Sequence, residues 1–180
     1  MNPRIEIPWQ QLEQSRARLT DLLKDVPETH FTYAPVPGKW SLAQVLAHLI
    51  TVEQLSLNYM KKKSQNLPQC KTAGFLSDIW VQLFFILQQL PLKFTAPGVV
   101  VQHTPPARSF SETQAWWQQV RNDMQAFLLS FPDEHIKKLI YKHPAGRFNV
   151  YQALVVLRAH LHHHLPQIKH LLKSFPVDAR

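Results

Sequence analysis

Only four glycines stand against fourteen prolines in this chain of 180 residues. Tight β-hairpins lean on glycine for the left-handed backbone of their turns, whereas helices joined by proline-bearing loops do not. The balance therefore points to an all-α protein. With 45% hydrophobic and 18% charged residues, the chain has apolar side chain enough for a real core. Residues 1–180 are expected to form one domain.

Hydrophobic periodicity and helix-start signals divide the chain into five helical segments. The first spans about Pro8 to Val26, with Trp9, Leu12, Leu19, Leu22 and Leu23 near helical spacing. The second opens after "PVPGKW", where Ser41 and Gln44 form a capping-box pattern, and runs to about Lys63. A third, very hydrophobic, runs from about Ala73 to Leu90 and stops at Pro91. The fourth starts at Ser111, with Gln114 three residues on, and is stopped by Pro132. The fifth starts at Asn149, with Gln152 in the same relation, and reaches about Ser174. Pro166 lies inside it and removes a backbone donor, so a bend or local loosening is expected just after the histidines. Loops 27–40 and 132–148 join two helix pairs, and residues 64–110 are long enough to carry the chain back along the body. The expected architecture is a four-helix bundle in which the second and fourth helices run parallel, with the third packed alongside.

The gross chemistry excludes several function classes. A net charge of +8 and a pI near 9.8 would suit a nucleic-acid partner. Yet the basic residues are scattered, apart from one short cluster at Lys61, Lys62 and Lys63, and no RNA-binding signature or zinc-finger spacing occurs. No nucleic-acid partner is expected. The most apolar run, "GFLSDIWVQLFFILQQLPL", is broken by Asp78 and several glutamines and falls short of the roughly 20 apolar residues that cross a bilayer. It reads as a buried helix. The start, "MNPRIEIPWQQLEQ", lacks the apolar core of a secretory signal. Cys70 is the only cysteine, so neither an internal disulfide nor a thiolate metal cluster is available. A reducing, cytoplasmic setting is expected. Cys70 itself follows "KKKSQNLPQ" in a loop and reads as an incidental cysteine. There is no glycine-rich phosphate loop and no GxSxG elbow.

The stretch "RAHLHHHLPQIKHLL", Arg158 to Leu172, puts five histidines on one helix, although histidine is a mediocre helix former. Residues three and four apart share a helix face. Leu154, Leu157, Leu161, Leu165, Ile168, Leu172 and Phe175 mark the buried face; His164 lies within that arc and His160 at its edge, while His162 and His163 point outward. His160 and His164 thus form an i, i+4 pair able to converge on a metal ion, with Gln167 next along the same side. A third donor must come from elsewhere. On the second helix, His48 stands at the edge of the buried face beside Val45 and Val52. Glu53 projects from the apolar face itself, where an unpaired carboxylate is costly; a cation or a histidine ring N–H would relieve it. No glutamate follows the first histidine of the pair, so this is not the HExxH helix of zinc proteases.

Two segments carry a resemblance. "PVPGKWSLAQVLAHLITVEQ" resembles the tryptophan-serine helix start and "HL…E" segment of the DinB-like family, and "HPAGRFNVYQALVVLRAHLHHHLPQI" resembles its later turn and HxxxH helix ending in "QI". Both occur in the right order, with Pro166 and the third histidine of "HHH" as departures. The resemblance implies an up-down-down-up bundle and a three-histidine metal site falling on His48, His160 and His164, occupied by zinc, nickel or a similar divalent ion. It also implies a homodimer. Characterised relatives include enzymes that add or move low-molecular-weight thiols, and others are regarded as metal-dependent hydrolases, so thiol transfer is expected, with hydrolysis as the alternative. On that reading Glu53 and Gln167 orient ligands or relay protons, and Tyr59 and the Trp116–Trp117 pair line a pocket. Two rival expectations are a metal ion that only stabilises the bundle and a basic adaptor for nucleic acid or an acidic partner.

Overall fold

The computed structural model describes residues 1–35, 38–74, 79 and 105–174. Most of the hydrophobic helix expected at about 73–90, most of the crossover and Phe175 lie outside these residues. Among the described residues four long helices carry the fold: α1 (Pro3–Leu23), α3 (Leu42–Ser64), α4 (Phe110–Leu129) and α5 (Val150–Lys173), with a short α2 (Glu28–Thr32) between the first two. Three of the long helices begin with a reciprocal capping box: Ser41 with Gln44, Ser109 with Glu112, and Asn149 with Gln152.

Two helix starts differ from the sequence reading. α1 begins five residues before Pro8, because Asn2 Oδ1 accepts from the Arg4 N–H at 2.9 Å and Pro3 supplies a first-turn proline. Pro8 is carried inside the helix and buried. α4 is capped by Ser109 rather than Ser111. Glu112 brings a carboxylate to the helix N-terminus, and Glu28 of α2 adds another by accepting from the Phe110 N–H at 3.1 Å. Gln114, read as the capping partner, instead accepts from Thr20 Oγ1 on α1. The loop expected at 27–40 thus contains a helical turn, pinned by Phe31, whose ring meets Phe110 edge-on.

The loop at 132–148 holds the one sheet among the described residues, an antiparallel hairpin of β1 (Tyr141–His143) and β2 (Gly146–Phe148). Its turn passes through Gly146 at φ 145°, which an L side chain rarely adopts. α5 continues through Pro166 to Lys173, so the loosening expected there does not end the helix.

Two core clusters fix the helix directions. At one end, Ile5, Trp9 and Leu12 of α1 pack with Leu57 and Met60 of α3, Met124 and Phe127 of α4, and Val150 to Leu157 of α5. At the other, Leu19 and Leu23 meet Leu42 to Ile50, Trp117 and Val120, and Leu161 and Ile168. The start of α1 therefore lies beside the start of α5 and the ends of α3 and α4. The order is up-down-down-up, with α3 and α4 parallel, as the long 64–110 connection allows. No helix among the described residues is long and apolar enough to cross a membrane.

Candidate metal centre

His48 reaches the site because α3 is phased by Leu42, Leu46, Leu49 and Ile50, all buried. That phase turns His48 inward too, and it is only 4% exposed. On α5 the buried Leu157 and Leu161 bracket His160, and His164 follows one turn later; both histidines are partly buried. The three Nε2 atoms meet. His160 Nε2 is 3.2 Å from His48 Nε2 and 3.2 Å from His164 Nε2, and the whole donor set lies within 4.8 Å.

These contacts cannot all be hydrogen bonds. A neutral imidazole nitrogen brings one N–H or one lone pair, so His160 Nε2 can satisfy only one of its two neighbours. A cation meeting three lone pairs removes the conflict. Four nitrogens set tetrahedrally at about 2.0–2.1 Å from an ion stand about 3.3 Å apart, close to the two separations of 3.2 Å. The donor atoms of the remaining pair also lie no more than 4.8 Å apart.

The protonation states suit ligands. Burial lowers His48 to about 4, helped by the positive charge that His164 would carry. Burial also holds His160 well below the ordinary histidine value, with smaller contributions from His164, His48, His163 and His143. His164 is lowered by burial too, against the hydrogen bond it makes to Gln167. Its Nδ1 lies 2.8 Å from Gln167 Oε1; an Nδ1–H donated there leaves Nε2 bare for a metal. His48 Nδ1 is buried and has no partner among the described residues. Trp40 covers the His48 ring, with centroids 5.1 Å apart.

A depressed folded-state pKa has a definite sign in stability. The unfolded chain takes up protons that the buried rings refuse, so stability is full above about pH 6.5 and falls toward pH 4. Chelated, metal-free protein titrated with denaturant from pH 7 down to pH 4.5 should lose on the order of 2 kcal/mol of unfolding free energy through His48 alone. A flat profile would contradict the burial.

The other sequence candidates fall elsewhere. Glu53 is 3% exposed, and the cation it faces is Arg121 rather than a histidine. Its Oε1 accepts from Arg121 Nη2 at 2.6 Å, and its Oε2 from Arg121 Nε at 2.7 Å and Trp117 Nε1 at 2.9 Å. Arg121 is itself 1% exposed, bonded by Nη1 to Glu13 and set against the rings of Trp9 and Trp117. The sequence does carry a signal for it: Arg121 lies one turn from Trp117 and from Met124, on the buried arc of α4. Trp117 is fully buried in the core, and Trp116 donates to Gln54. Tyr59 lies near the opposite end of α3 and lines a different cleft. His162 is exposed, with Nε2 3.0 Å from Ser15 Oγ on α1. His162→Ala should leave metal content unchanged and shift stability by no more than about 0.5 kcal/mol, which paired melting curves and metal analysis would check.

The sequence profile of the DinB superfamily matches residues 11–168. Among solved structures, the chain is similar to YfiT from Bacillus subtilis, described as a probable metal-dependent hydrolase with an unusual four-helix bundle topology. The two share 19% identity and a TM-score of 0.59, over 96% of this chain and 88% of that one. At this identity the likeness speaks for the fold. No curated protein matches the chain.

Proposed function

The chain belongs to the DinB superfamily, and from that premise we propose that it is a metal-dependent enzyme whose His48, His160 and His164 hold a divalent ion for thiol transfer. The observation that carries this reading is the meeting of three Nε2 atoms from two helices at a point that is only partly buried. A sealed structural site would hide all its ligands; here His160 and His164 keep some exposure while His48 anchors the inner side. A divalent ion held there supplies Lewis acidity, bringing the ionisation of a thiol or a water toward neutral pH. Zinc and nickel both suit imidazole donors.

The protein's own groups set the frame for that chemistry. Gln167 fixes the tautomer and orientation of His164, and Trp40 packs against the His48 ring. The Glu53–Arg121 pair acts at a distance, locking α3 to α4 one turn beyond His48. No general base stands among these residues, so the thiol proton passes to solvent in this reading. Hydrolysis uses the same donor set and is supported by the likeness to YfiT.

The test begins with metal analysis of protein purified without a histidine tag. Loaded protein is then offered glutathione with an alkylating chromophore and, separately, a nitrophenyl ester. Thiol alkylation accelerated over metal-free protein supports the proposal, and ester turnover alone shifts it to hydrolysis. A bound ion that raises the melting temperature while accelerating neither reaction would reduce the site to a structural one.

A further inference from the structure

At the end of α3 opposite to His48, a cleft of about 430 Å³ lies between the last turns of α3, residues 65–71 and the hairpin. Its lining carries five cations, Lys62, Lys63, Lys71, Lys142 and Arg147, beside Tyr59, and no carboxylate. None of the five forms an ion pair among the described residues. We propose that this cleft is a binding site for a small molecule carrying adjacent phosphate groups.

Three observations support the assignment. First, Lys142 and Arg147 are cross-strand partners in the hairpin register. Like charges directly opposite one another destabilise an antiparallel pair, and an anion between them turns that repulsion into attraction. Second, the wall is held in shape. Lys138 Nζ donates to the Cys70 carbonyl at 2.9 Å and to the Pro68 carbonyl at 3.3 Å, and backbone N–H groups of Leu139 and Ala73 bond Lys71 and Lys137 carbonyls at 2.8 Å. Third, the volume suits a drug-sized ligand rather than a nucleic-acid duplex or a membrane face. The helix dipole accounts for basic residues at the end of α3, but not for Lys71, Lys142 and Arg147 on other elements.

Calorimetric titration of the full chain with tripolyphosphate at physiological salt tests this, with ATP as a second probe. Tripolyphosphate is expected to bind, and the double variant Lys142→Glu/Arg147→Glu to weaken it by about tenfold or more. Lys24→Glu/Lys169→Glu, the same charge change on exposed residues at the other end, should weaken it less than about twofold. Tighter binding of ATP points to a nucleotide, and equal binding to the phosphates alone; either supports the site. Cys70 lines the cleft and is the only cysteine, so tripolyphosphate should also slow its alkylation by iodoacetamide. Equal loss in the two double variants would overturn the proposal, because net charge alone would then explain binding. So would binding to phosphatidylserine vesicles without binding to tripolyphosphate.

Discussion

His160→Ala and His164→Ala should each leave the protein with little bound metal. Each removes one of three donors, and the two that remain no longer define a site. Loss of a group that merely orients a ligand costs about 10–100-fold in metal affinity, so loss of a ligand should cost at least the upper figure. In excess metal every hundredfold of lost affinity removes about 2.7 kcal/mol of apparent stability. The measurement is metal content by mass spectrometry on untagged protein, with melting curves before and after chelation. The chelator-induced shift of the parent should be absent in both variants. Undiminished metal in both would remove the assignment of His48, His160 and His164, whatever the enzyme assays show.

The second large effect belongs to the ion pair in the core. Glu53→Ala is expected to destabilise the fold by about 3–5 kcal/mol, because it strands a guanidinium that is 1% exposed. Glu13 remains on Nη1, but it is 30% exposed and meets only one edge of the group. Against a typical total of about 5–15 kcal/mol the variant should melt far below the parent. Replacing both partners, as Glu53→Leu/Arg121→Met, should recover most of the loss, since two apolar side chains leave no stranded charge. Denaturant unfolding of the two variants decides it. If the double variant is as unstable as the single, the loss comes from packing around Trp9 and Trp117 and not from the charge.

These two predictions rest on residues whose legibility in the sequence differed. Leu157, Leu161 and Ile168 set the phase of α5, and from that phase the shared face of His160 and His164 follows at once. The same reasoning put His48 at the edge of the buried face of α3, where it is now seen inside the core. For Glu53 it identified a need but not the group that meets it. Arg121 lies 68 residues away on another helix, and periodicity says which way each side chain points, never which foreign side chain it will find. The start of α4 shows the limit within a single helix: Ser109–Glu112 and Ser111–Gln114 both fit a capping pattern, and Glu28, from a turn read as loop, helps decide between them.

The presence and phase of the four long described helices, two of the three capping pairs and the i, i+4 histidine pair were determined by the sequence itself, because they depend on 3.6-residue geometry and on bonds spanning three or four residues. The pairing of Glu53 with Arg121, the 3.2 Å approach of His48 to His160, the hairpin that sets Lys142 against Arg147 and the cleft beside it were decided by tertiary structure alone. Each joins elements far apart in the chain, and their relative placement follows from how whole apolar faces bury one another, a sum over many weak contacts that no local pattern records.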